Sequence, residues 1–529
     1  MLAGQQVVIL RDNVDVTSGM EAQHSNIMAC KAIASAVRTT LGPRGMDKML
    51  VSPSGDVVIT NDGATILHEL SVEHPAAKMV ISVAEAQDDE VGDGTTTASI
   101  LIGALMEEAE ILLKKGIHPT IIAKGYTLGM EKAMEILNAN VIEAAADDRE
   151  MLLKVAGTAV TGKSIESMKE KITGIIVDAV LAVAQKAEDG TYTVDEDDVR
   201  IKTVVGDSMD DAELITGFLI DKTRCDQGMP KKVENAKIAL LSMPLEVKKT
   251  ETKAKIKITS SEQVEAFSEK EKESLKTMAE AIKASGANVV LCQKGIADAV
   301  QYFLSHDGIL AIQDVPEKDM KAFARALDGT IVNAVADLEE SVLGNADLIE
   351  EMKDIAATKF TGCKNGSTVS ILIKGSNQIF VDELERAVYD SARVVMDALE
   401  DGKFVVGGAA IDTELYLSIR DYASTMGGRI QLAIEAFANI FETIPATLAE
   451  NSGHDPIDIL VDLKSAHANG SKYAGLNVYT GKVSDMYEAG VIEPMRVKRQ
   501  AVQSASETAC LLIRVDDMMV SKSAAQMAR

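Results

Sequence analysis

The chain has 529 residues, 46% hydrophobic and 26% charged, and its 81 Asp and Glu outweigh 54 Lys and Arg for a formal net charge of −27. Such a length exceeds one core, so two to four domains are expected, and the apolar content excludes a disordered chain. The acidity excludes nucleic acid and anionic membranes as natural partners, and no apolar run of the roughly 18 residues that span a bilayer is expected, so the chain reads as cytoplasmic.

From the N-terminus, helical spacing of apolar residues predicts a helix over 19–40, which Leu41-Gly42-Pro43-Arg44-Gly45 then stops. The alternation Val57-Val58-Ile59-Thr60 predicts a strand, and Asn61-Asp62-Gly63-Ala64-Thr65 a turn that opens a helix. Next comes Gly92-Asp93-Gly94-Thr95-Thr96-Thr97, at the mouth of a helix predicted over 98–115, and another helix is expected over 121–138. A helix start exposes unpaired N–H groups that attract anions, but Asp93 repels phosphate unless a divalent cation lies between them. The same stretch also fits a plain Gly-Asp-Gly turn with a Thr cap.

Residues 157–164, Gly157-Thr158-Ala159-Val160-Thr161-Gly162-Lys163-Ser164, match the pattern of a P-loop. A P-loop follows a buried strand, whereas residues 149–156 have helical content and no strand ending in Asp follows, so a P-loop kinase is disfavoured. Further on, short strands are expected over 237–242, 288–292, 308–312 and 330–333, with helices over 261–284, 296–304 and 317–327 between them. That alternation predicts a parallel sheet covered by helices. Within it, residues 245–276 crowd Lys248, Lys249, Lys253, Lys255 and Lys257 ahead of an acidic helix with a narrow apolar stripe, which suggests an element projecting into solvent. Helices are again expected over 411–425, 430–451 and 494–511. The five cysteines are scattered and the seven histidines form no His-x-x-x-His pair, so a disulfide framework, a zinc site and a metalloprotease are all unsupported.

Taken together and in this order, the three Gly/Asp turns, Thr161-Gly162-Lys163, Val406-Gly407-Gly408, Gly453-His454-Asp455-Pro456 and Val491-Ile492-Glu493-Pro494 resemble the group II chaperonins, the thermosome and cytosolic ring-chaperonin family. The similarity runs essentially from end to end and suggests a divergent archaeal-type paralogue. It implies a multidomain α and α/β chaperonin fold. The mainly helical equatorial ATPase domain would come from 1–143 and 402–529, the small intermediate domain from 144–211 and 362–401, and the α/β apical domain from 212–361, with 245–276 as a helical protrusion serving as a built-in lid. The implied activity is ATP-dependent folding of unfolded or partly folded proteins within two stacked rings of identical or paralogous subunits.

The resemblance also implies a site for ATP and Mg²⁺, with K⁺ as a candidate further ion. Leu41, Gly42, Pro43, Asp93, Gly94, Thr95, Thr96, Thr97, Gly162, Lys163, Gly408 and Glu493 would bind ATP, with Asp93 on the metal and Lys163 reporting on the γ-phosphate. Asp62 and Asp390 would order and activate the attacking water; on its own residues, Asp390 reads as an exposed helix carboxylate. Ala409 stands where the family commonly has a third glycine, and the surroundings of Asp390 and Asp412 are also less typical. A structural ring subunit with weak or lost hydrolysis, acting beside active paralogues, is therefore the alternative.

Overall fold

Helices with an apolar stripe must bury it, and those of both chain ends do so against each other. In the computed structural model, which describes residues 14–52, 55–163, 168–206, 212–247, 261–364 and 368–521, the chain divides into two compact units. The first comprises Met1–Val177, Glu188–Tyr192 and Asp382–Arg529. Its core joins helices Met20–Arg38, Pro75–Val91, Thr95–Lys114, Pro119–Ala139, Ala410–Thr425, Arg429–Asn439 and Met495–Ile513, through Leu101, Leu105, Tyr126, Leu415, Phe437 and Val502 among others. A small antiparallel sheet ties Lys403–Val406 to Ile142–Glu143 on one edge and Ile492–Pro494 on the other. It thereby fixes Gly407 and Glu493 next to each other.

Residues 429–451 do reach the length and mean hydropathy, 1.2, of a bilayer-crossing segment, contrary to the expectation from the sequence. They are 61% buried, and a 3-10 turn at Ile440–Glu442 divides them into helices Arg429–Asn439 and Thr443–Asn451. They behave as core helices rather than one continuous rod.

The second unit comprises Asp178–Ala187 and Thr193–Val381. Its main sheet runs, in spatial order, Leu310–Ile312, Val289–Cys292, Lys232–Leu241, Gly344–Met352, Ala357–Cys363 and Phe218–Ile220, with Ile331–Val332 also pairing with Lys232–Leu241. The first half is parallel, as its β-α-β alternation predicts. The second half, made of strands that the alternation did not include, is antiparallel. Strand Gly344–Met352 carries Asn345, Asp347, Glu350 and Glu351, so its polar face hides the apolar run that marks a buried strand. Helix Ser261–Ala284 matches its predicted span and buries Leu275, Ala279 and Ile282. The lysine-rich part of the expected protrusion, 248–260, lies outside the described residues, as do the side chains of 261–268.

Candidate active site

Three of the turns singled out in the sequence meet in the first unit. Thr60 ends strand Val57–Thr60, and Asp62 then caps helix Gly63–Glu69: its Oδ2 accepts the Thr65 N–H at 2.7 Å. Its other oxygen accepts the Thr95 hydroxyl at 3.3 Å. Gly94 has φ +82° and opens helix Thr95–Lys114 directly alongside; a Cβ on Gly63 would lie 2.5 Å from Thr96 Oγ1. Two helix N-termini therefore converge, and their free N–H groups and dipoles make the spot attractive to anions. Asp93 turns one carboxylate oxygen back onto the Gly94 N–H at 2.7 Å, while Gln87 holds its carbonyl at 2.9 Å.

The Gly42-Pro43 turn comes next to the loop after helix Arg149–Val160. Asn61 Nδ2 donates to the Gly162 carbonyl at 2.6 Å, and a Cβ on Gly162 would sit 2.9 Å from Pro43 Cα. Across from these, Gly407 N–H donates to the Val491 carbonyl at 3.0 Å and Leu476 N–H to the Gly408 carbonyl at 2.8 Å. Leu41, Gly42, Pro43, Asp62, Asp93, Gly94, Thr95, Thr96, Thr97, Gly162, Lys163, Gly408 and Glu493 all line one cavity of about 450 Å³. That volume suits a small-molecule ligand. The P-loop reading fails on its geometry, since Gly157 to Val160 lie inside a helix rather than after a strand; Ser164 of that pattern lies outside the described residues.

Asp390 is placed differently. It sits on helix Gln378–Asp401, buried and behind the lining, and its Oδ2 accepts from Lys163 Nζ at 2.7 Å. Val394, one turn further along, does reach the cavity. Burial pushes the Asp390 carboxyl up to about 7, Asp62 adds to the rise, and Lys163 pulls against both. Burial works against charge on Lys163 too, but Asp390, Asp93 and Asp62 together raise its ammonium above the ordinary lysine range. Three of the four acidic positions taken from the resemblance thus act on a single cation. The fourth, Glu493, is raised by burial and then by Asp412 and Asp93, with Lys498 pulling it down.

Two further groups escaped the sequence reading. Asp88, in the last turn before Gly92, is lifted to about 6 by burial and then by Asp62 and Asp89; the run Asp88-Asp89-Glu90 beside a Gly-Asp-Gly turn was its signal. Lys498 is buried against Asp412, Nζ to both carboxylate oxygens at 3.1 Å, and lines the cavity. A lone lysine on an amphipathic helix gives no such sign. Among the described residues no cluster of three or more His, Cys, Asp or Glu could hold a metal unaided. One carboxylate beside threonine hydroxyls instead suits Mg²⁺, which keeps waters and phosphate oxygens in most of its shell.

The sequence profile of the TCP-1/cpn60 chaperonin family matches residues 33–523. The chain is 51% identical to a thermosome subunit of Methanopyrus kandleri over 527 residues, 99% of this chain and 96% of the relative. It is likewise 51% identical to the thermosome subunit beta of Archaeoglobus fulgidus over 98% of this chain and 96% of that one. Among solved structures, the open-state monomer of a group II chaperonin from Methanococcoides burtonii aligns with a TM-score of 0.62 at 44% identity, covering 80% of this chain and 100% of that one.

Proposed function

Because this chain belongs to the TCP-1/cpn60 chaperonin family and is a group II chaperonin subunit, an ATP-dependent chaperone of ring complexes, we propose that the cavity at Asp93 binds ATP with Mg²⁺ and hydrolyses it. The observation that carries this reading is the convergence of Asp62, Asp93 and Asp390 on Lys163 beside two helix N-termini. Isolated surface carboxylates have no reason to gather there. The starts of Gly63–Glu69 and Thr95–Lys114 would receive phosphate oxygens, with the Thr95 to Thr97 hydroxyls adding donors. Asp93 would hold Mg²⁺, which supplies charge neutralisation for phosphoryl transfer. Gly408 and Glu493 would meet the nucleoside end.

The catalytic step needs Asp390 freed. Its carboxylate is occupied by Lys163, so we place the reactive arrangement after Lys163 exchanges that partner for the γ-phosphate. Asp390, aided by Asp62, would then orient a water. The water oxygen bonds to the γ-phosphorus, the bond to the ADP oxygen breaks, and the water's proton passes to Asp390. Exchange of a buried partner links hydrolysis to movement of helix Gln378–Asp401, the kind of gating that closes many sites. Client release and closure of the chamber by a protrusion at 245–276 would follow that movement. The intact carboxylates favour this over a subunit that has lost hydrolysis.

The test is ATP turnover by the assembled particle with Mg²⁺ and with EDTA, alongside Asp93→Asn. Loss of turnover in EDTA and in the variant supports the assignment. Turnover unchanged by either would overturn it.

A further inference from the structure

We propose that Arg393 is a positioning residue, a latch that fastens helix Gln378–Asp401 to the turn before Asp93 and so sets where Asp390 stands. The inference rests on the reading of Asp390 as the catalytic carboxylate. Arg393 lies three residues beyond Asp390, almost one helical turn. Its Nη2 donates to the Asp89 carbonyl at 2.5 Å. That carbonyl belongs to the last turn of helix Pro75–Val91, where acceptors are left without intrahelical partners and a cation is favoured.

The stem of the same side chain packs on Gly92. A Cβ at Gly92 would lie 2.5 Å from Arg393 Cβ, 3.1 Å from its Cγ and 3.5 Å from the Asp390 carbonyl oxygen. Gly92 ends helix Pro75–Val91 with φ +65°, and the residue after it is Asp93. So Arg393 grips the turn that carries one carboxylate while standing on the helix that carries the other.

The rest of that helix face is fastened on both sides of this point. Glu383, seven residues before Asp390, is raised by burial and drawn back down by Arg386 and by a hydrogen bond from Thr60, which leads into Asn61-Asp62. Arg496, just past Glu493, holds Asp397 at 2.9 Å, Glu400 at 3.2 Å and Asp401 at 2.8 Å. Asp397 is lifted to about 7 by burial, against the pull of Arg496 and Arg393. These outer ties hold the ends of the helix. Arg393 joins it to the turn that carries Asp93. When Lys163 lets Asp390 go, the helix pivots about this latch, which keeps the carboxylate within reach of the site.

A misplaced catalytic group costs rate rather than ground-state binding. The experiment is steady-state ATP hydrolysis and nucleotide binding by the assembled particle for wild type, Arg393→Ala, Arg393→Lys and Asp390→Ala. Arg393→Ala is expected to lower kcat roughly 10- to 100-fold, with KM and nucleotide affinity within about twofold of wild type. Arg393→Lys, which keeps a stem and a donor, should recover part of the loss. Wild-type kcat in Arg393→Ala, while Asp390→Ala collapses, overturns the latch and leaves the catalytic reading standing. A loss of nucleotide affinity as large as the loss of kcat also overturns it, because Arg393 would then merely support the pocket. If Asp390→Ala itself turns over normally, the catalytic reading fails, and the latch with it.

Discussion

Ala409 carries a methyl group in a backbone conformation that favours none. Its φ is +70°, it is almost fully buried, and it is the residue before helix Ala410–Thr425. The left-handed region costs a non-glycine residue about 1–2 kcal/mol. Ala409→Gly should therefore raise the thermal midpoint of the particle, and a lower midpoint would contradict the strain. This departure was legible in the sequence because the preceding Gly407-Gly408 resembles a longer glycine run. The burial of Asp390 was not, since a carboxylate in Tyr389-Asp390-Ser391 reads as exposed and only the resemblance pointed to it; packing buries it against Lys163. Its raised value has a signed consequence. A folded value near 7, above the usual 3.8, favours the folded state most below about pH 4, and that contribution is lost as pH rises through 7. A base must be ionised, so kcat/KM for ATP should rise with pH through about 7. A flat profile from pH 5.5 to 8.5 would contradict a catalytic Asp390.

At the scale of elements, close helix contacts depend on small residues. Helix Pro119–Ala139 presents Gly125 and Gly129, four apart and so on one face, to helix Arg429–Asn439. A Cβ at Gly125 would overlap Ala433, and one at Gly129 would lie 2.5 Å from Phe437 Cδ1. Gly125→Val should lower the thermal midpoint of the particle, by the roughly 1–3 kcal/mol of an overpacked core; an unchanged midpoint would show that the helices can part freely. Helices with a clear apolar stripe, such as Met20–Arg38 and Thr95–Lys114, were legible to within a few residues. The division of the predicted helix at 430–451 was not foreseen, although Pro445 lacks the N–H that a continuous helix needs from it. Strands Gly344–Met352 and Ala357–Cys363 were missed because they pair antiparallel to each other and carry polar side chains, leaving no apolar run to find.

Over the whole molecule, an acidic chain with a net charge of −27 joins its two ends in one unit and carries an α/β sheet in the other. Family membership was legible because several short motifs recur in order; each alone was ambiguous. What spacing could not convey was which distant carboxylates share a cation, for that follows from packing 227 residues apart in the chain. The purified protein should elute as an assembly many times the mass of one chain, and a stable monomer would contradict a ring subunit. The most direct test of the account is ATP turnover by the assembled particle with and without Asp390→Ala, nucleotide binding being measured on both. Mg²⁺-dependent turnover should collapse in the variant while nucleotide still binds. Equal turnover in the two proteins would contradict it.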